Sequence, residues 1–127
     1  MSVGTFDPSA ANQDIDADLV RELLERFDGE RIELDKAGEL KFSILARHKG
    51  WSDACDQFET AELQALAKLF TVLEQNYSSF SAGADSPVIP IVRNLKGKGA
   101  WEKADTQWIK SNTDNRFLPH GSLMDRL

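Results

Sequence analysis

Cys55 is the only cysteine in this chain and therefore its one candidate thiol nucleophile. A thiol attacks as the thiolate, and Asp53 and Asp56 on either side hold the proton in place rather than releasing it. His48 and His120 are the candidate bases or metal ligands, but neither has a carboxylate or a second histidine at the four-residue spacing of a metal-binding helix. A lone cysteine also excludes a cysteine-based zinc cage and any intramolecular disulfide. Carboxylates such as Glu22, Glu25, Asp53 and Asp56 are many, yet no motif marks two of them as an acid/base pair, and they read as a solvated face. The chain is expected to be no enzyme and to need no metal or cofactor.

Two segments have the composition of ligand loops without the spacing. Asn94-Leu95-Lys96-Gly97-Lys98-Gly99 is rich in glycine and lysine, but lacks the spacing that aims successive amides at a phosphate, and it follows a helical segment rather than preceding one. A glycine helix stop is the simpler reading. Leu45 to Ser52 has the small residue and glycine turn of a helix-turn-helix, but the next helix would present Asp53, Asp56 and Glu59 to the phosphates.

The pattern with most binding chemistry lies further on. Trp101 and Trp108 stand seven residues apart, on one side of a helix if the helix is continuous, and Arg93, Lys96, Lys98, Lys103, Lys110 and Arg116 interleave with them. Aromatic rings among cations engage RNA by stacking and charge, or an acidic protein groove by the same forces. Arg93, Lys96, Lys98, Trp101, Lys103 and Trp108 are thus the candidate partner-binding residues. Half-buried tryptophans also serve as core anchors, which is the competing explanation.

Charge supports the division. Net charge is −6, too acidic for a general nucleic-acid coat. Residues 1–87 carry 8 Lys/Arg against 17 Asp/Glu, a net of −9, whereas residues 88–127 carry 7 against 4, a net of +3. An acidic body precedes a basic last third. The first residues lack a basic start and an apolar stretch, no window spans a bilayer, and a cytoplasmic protein is expected.

The elements that position these residues follow from periodicity. With 127 residues, one domain is expected. Residues 1–13 read as a leader, and 14–127 as a single helical domain. Asp16 caps a helix over about 17–27, with Gly29 as its stop. Residues 31–44 fit two patterns: Ile32, Leu34, Leu40, Phe42 and Ile44 alternate as in a short β-hairpin, while Leu40, Ile44 and Leu45 form a helical stripe from about residue 38. Thr60 to Tyr77 is the central helix, with Thr60 as cap. Ser86-Pro87 opens a helix carrying Val88, Ile89, Ile91, Val92 and Leu95, apolar nearly all round and so sandwiched; Asp105 caps a last one.

The fold expected is an all-α bundle of about five helices. The leading function is a non-enzymatic binding or regulatory module acting on an acidic protein surface or RNA. The alternatives are a structural protein or homodimer joined through the apolar C-terminal segment, and a small-molecule-binding or hydrolytic protein with a pocket near Trp51 and Cys55. Phe117, Leu118, Leu123 and Leu127 are too apolar for a free tail, and burying each stabilises by about 1.5–3 kcal/mol. Truncation after Asn115 is therefore expected to lower the melting temperature by many degrees, and an unchanged calorimetric melt would show the segment to be undocked.

Overall fold

Asp16 starts the described part of the chain as its position predicts: its carboxylate accepts hydrogen bonds from the N–H of Asp18 and of Leu19, at 3.0 and 3.2 Å. Helix α1 (Ala17–Glu25) follows and buries Val20 and Leu23. The computed structural model describes residues 15–113, so the leader at 1–13 and the apolar segment at 116–127 lie outside the described residues. Helix α1 stops short of residue 27, and not at Gly29. Asp28 builds the turn instead, its carboxylate accepting from Glu30 and Arg31 N–H at 2.8 and 2.6 Å. Gly29 takes φ +101° inside that turn, a conformation that L side chains rarely adopt.

Among the described residues there is no strand, and residues 31–44 do not form a hairpin. The extended stretch before residue 36 buries Ile32 and satisfies the Leu34 N–H with the Tyr77 hydroxyl at 2.9 Å, so it needs no partner strand. Asp35 then accepts from the Gly38 N–H at 2.7 Å and starts α2 (Lys36–Arg47) two residues earlier than the stripe suggests. The buried face also differs from the expected one. It consists of Gly38, Phe42, Ser43, Leu45 and Ala46, leaving Leu40 and Ile44 on the outside, 69% and 61% exposed. Phe42 brings the larger apolar surface, and Gly38 has no side chain to hold the helix away; a Cβ there would meet the Asp35 carboxylate at 3.0 Å.

Helix α3 (Trp51–Ala54) is a single turn continued by a 3₁₀ turn at Cys55–Gln57. Trp51 is fully enclosed. Its indole N–H donates to the Leu45 carbonyl at 2.8 Å, adding to the longer bond of 3.4 Å that this carbonyl accepts from the His48 N–H at the end of α2. Its ring meets Phe70 edge-on at 5.3 Å and stacks on Phe58 at 6.2 Å. One side chain thus ties α2 and α3 to the centre.

The centre is α4 (Thr60–Asn76), which buries Leu63, Leu66, Ala67, Leu69, Phe70, Thr71, Val72 and Leu73. Thr71 is tolerated there because its hydroxyl donates to the Ala67 carbonyl at 2.7 Å. Helix α5 (Val88–Gly97) lies along α4 and also touches α3, burying Val88, Ile89, Ile91, Val92 and Leu95. Its apolar residues are covered as expected, but Arg93 and Gly97 stay exposed, so the helix is not enclosed on every side. The Ser86 hydroxyl accepts from the Val88 N–H at 3.2 Å and donates to the Glu74 carboxylate, pinning the helix start to the end of α4. Helix α6 (Lys103–Asn112) packs on α4 through buried Ile109. Its cap is Glu102, with Asp105 in the third helical position, accepting from the Glu102 N–H at 3.0 Å. Six α-helices are described, all sharing one hydrophobic core, which makes the chain an all-α bundle.

The start of α4 corrects one expectation. Thr60 is the first helical residue and Glu59 occupies the cap position, because the Glu62 carboxylate reaches back to the Glu59 N–H at 2.9 Å. The same carboxylate accepts from Arg21 Nε at 2.9 Å, joining α1 to α4. Thr60→Ala is accordingly expected to leave urea unfolding near wild type, while Glu62→Ala costs about 1–2 kcal/mol through the lost box and ion pair. Arg21, and then the Glu59 N–H, hold the Glu62 carboxyl below the usual glutamate range. This contribution is present above the ordinary glutamate pKa and is lost as pH falls through the lowered folded value. Glu62→Gln should therefore flatten the loss of stability in acid titrations monitored by circular dichroism.

Candidate functional site

The six candidate partner-binding residues come from three places along the chain. Arg93 lies on the outward side of α5, and Lys96 is half-buried on its flank. Lys98 is exposed just past the end of α5, Lys103 is exposed at the start of α6, and Trp101 and Trp108 are half-buried. Trp101 precedes α6, so the two indoles do not share one helix as the seven-residue spacing suggested.

What separates them is the turn after α5. Gly99 adopts φ +71°, and the N–H groups of Gly99 and Ala100 donate back to Lys96 and Leu95 carbonyls at 3.1 and 2.8 Å. This is a glycine-based helix termination in which the loop amides serve the preceding helix. The phosphate-loop composition at residues 94–99 therefore aims no free amide at a ligand from Gly99 or Ala100.

Both tryptophans are held by the body. The Trp101 indole N–H donates to the Thr106 hydroxyl at 2.9 Å, and the neighbouring Ala100 carbonyl accepts from the Gln64 side chain of α4 at 2.9 Å. Lys68 Nζ lies 5.4 Å from the centre of the Trp108 ring, a cation–π contact that links α4 to α6. Lys68 was missing from the candidate set because forty residues separate it from Trp108. Its signal was present, since it is the only Lys or Arg in Thr60–Asn76.

Electrostatics distinguish the two ends of the molecule. Three cations of the acidic body are paired, Arg21 with Glu62 at 2.9 Å, Lys41 with Glu22 at 2.6 Å and Arg26 with Glu22 at 3.7 Å, whereas Lys36 and Arg47 of α2 have no such partner among the described residues. Among the described residues, no carboxylate lies within ion-pair distance of Arg93, Lys98 or Lys103. Glu102 and Asp105 interrupt this basic stretch. Their carboxylates suit the positive end of α6.

The remaining chemical candidates take structural positions. Cys55 is buried, and its thiol is pushed up to about 11, by burial first and by Asp56 after the opposing pull of Lys98. Trp51 and Cys55 both belong to the core. His48 Nδ1 accepts from the Gly50 N–H at 3.0 Å, shaping the turn into α3. His120 lies outside the described residues. The four residues of α3 are too few for a recognition helix. Among the described residues, no group of three His, Cys, Asp or Glu side chains is arranged to hold a metal ion.

Comparison with protein-family models, curated proteins and solved structures found no match to this chain.

Cys55 yields a direct check on the packing around α3. At pH 8 the folded thiol should react with a disulfide reagent about a hundredfold more slowly than in denaturant, since so little thiolate forms. Equally fast labelling of the native and denatured protein would mean that this corner of the core opens freely.

Proposed function

We propose that this chain is a non-enzymatic binding or regulatory module that contacts an acidic protein surface through Arg93, Lys96, Lys98 and Lys103, with Trp101 and Trp108 as aromatic parts of the contact. The observation that carries the reading is that exposed, unpaired cations recur within residues 93–103, at Arg93, Lys98 and Lys103. The body neutralises Arg21, Arg26 and Lys41 with its own carboxylates, while Arg93, Lys98 and Lys103 face outward with no such pairing among the described residues. Exposed cations of this kind steer an acidic partner and fix its register.

An acidic protein fits better than RNA. Stacking of bases needs open ring faces, and Lys68 already occupies one face of Trp108. The tryptophans act as rigid supports for the cations around them. No helix among the described residues is long and apolar enough to cross a membrane. A reducing cytoplasm suits a protein whose single cysteine is a buried thiol.

Binding of labelled polyglutamate and of labelled polyuridine, read by fluorescence anisotropy across a salt series, tests the reading. Polyglutamate should bind more tightly than polyuridine, with affinity falling as salt rises, because exposed charges are screened over about 8 Å at physiological ionic strength. Lys96→Glu combined with Lys98→Glu should weaken that binding about tenfold and flatten its salt dependence. Full affinity in this double variant would end the proposal. Tighter polyuridine binding, with a log–log salt slope near about −3 for four phosphate contacts, would transfer it to RNA.

A further inference from the structure

We propose that the outward face of α2 is a docking site for an acidic, amphipathic helical segment of another protein, whose apolar side chains rest on Leu40 and Ile44 and whose carboxylates meet Lys36 and Arg47. This face is separate from residues 93–108, and the proposal does not rest on the reading given for them.

Leu40 and Ile44 are the large hydrophobic side chains left exposed among the described residues, at 69% and 61%. They sit one turn apart on the same helix, so they form one continuous apolar ridge rather than two scattered exposures. With 3.6 residues per turn, Lys36 and Arg47 fall on the same side, at the two ends of that ridge. Both are exposed, and among the described residues neither has an ion-pair partner. Glu39 is the only acid in α2, and it is turned to the flank, where it accepts from the Ser79 hydroxyl at 2.5 Å. Lys41 is likewise occupied by Glu22. The outward arc therefore presents apolar surface between two positive charges and no negative one.

Charge decides what can lie on it. In a symmetric pairing of two copies through this face, antiparallel helices place Lys36 against Arg47 and parallel ones repeat each cation against itself, so a second copy is repelled. An anionic bilayer is broad, and the described residues 15–87 carry 8 Lys/Arg against 15 Asp/Glu, a net of −7, which opposes a flat anionic surface. A single helix avoids both objections: it is narrow enough to touch only the ridge, and its carboxylates complement Lys36 and Arg47. Its apolar residues at i and i+3 or i+4 match Leu40 and Ile44 in spacing.

The test uses the full chain and a synthetic, end-blocked peptide of about twelve residues, with leucine on one helical face and glutamate elsewhere. A peptide of the same composition with its leucines spread around the helix serves as one control, and a lysine-for-glutamate version as another. The acidic amphipathic peptide is expected to bind, shifting the amide signals of residues 36–47, while both controls bind at least about tenfold more weakly. Leu40→Ser with Ile44→Ser should weaken binding about tenfold while leaving the melting temperature within a few degrees of wild type, since these side chains are exposed. Lys36→Glu with Arg47→Glu should reduce affinity comparably and reverse the preference toward the lysine peptide. Binding that survives either pair of substitutions overturns the proposal, as does equal binding of the scrambled peptide or no binding at all. Stronger association with phosphatidylserine vesicles than with the peptide, or a sedimenting dimer lost in the serine variant, assigns the face to a membrane or a second copy and likewise overturns it. A large fall in melting temperature in the serine variant would mean the chain covers the ridge itself, with the same consequence. In the Lys96→Glu, Lys98→Glu background, which removes the other acid-binding surface, the peptide should still shift the amide signals of residues 36–47, so the two surfaces fail or stand separately.

Discussion

The burial of α4 on nearly every side is the constraint from which the rest of the arrangement follows. A seventeen-residue helix with Leu63, Leu66, Leu69, Phe70, Val72 and Leu73 enclosed requires apolar partners around most of its circumference, and a small chain has few to offer. Helix α5 covers one side with a strip that is itself apolar nearly all round, α6 covers another with Ile109, and α1 meets the start of α4. Helix α2 reaches this core mainly through the Ser78–Phe80 turn and through Trp51. That indirect attachment explains why α2 keeps an outward face while α4 keeps almost none.

Polar groups inside this core are few, and most are satisfied locally, which lets the packing stay tight. Thr71 bonds to its own helix, Trp51 donates to a carbonyl at the end of α2, and Tyr77 takes the Leu34 N–H of a segment that would otherwise need a sheet partner. Carboxylates do similar service at the helix starts. Asp16 and Asp35 cap directly, and Glu62 closes the start of α4 while holding Arg21 of α1. Much of the acidic excess of the body is thereby structural. Arg93, Lys98 and Lys103 pair with no carboxylate among the described residues, and they underlie the proposed binding role.

The same economy shapes the aromatic residues near the C-terminal end. Trp101 and Trp108 look alike in sequence, each set among cations, yet they are separated by a glycine-terminated helix end and a new helix start. Each contributes partly to attachment on the body, through Thr106 and beneath Lys68, and partly to the surface. Interface aromatics commonly have this dual character, with one side packed for rigidity and the other available.

The sequence by itself determined the helices and many of their signals, because these depend on neighbours within a few positions. Period-3.6 apolar spacing located α1, α4 and α5, and Asp16 read correctly as a cap, whereas the raised Cys55 thiol owes more to its burial than to the flanking aspartates from which it was expected. Tertiary structure decided what depends on distant partners. Whether residues 31–44 became a hairpin or a helix turned on Tyr77 and on the fit of Gly38 and Phe42, none of which local alternation can weigh. Glu59 rather than Thr60 caps α4 through its local box with Glu62, and the tertiary structure adds the Arg21 contact to the same carboxylate from forty-one residues away. Which stripe of α2 faces inward was likewise undetermined locally, since Leu40 and Ile44 are as apolar as Leu45, and only the space beside the neighbouring elements distinguishes them.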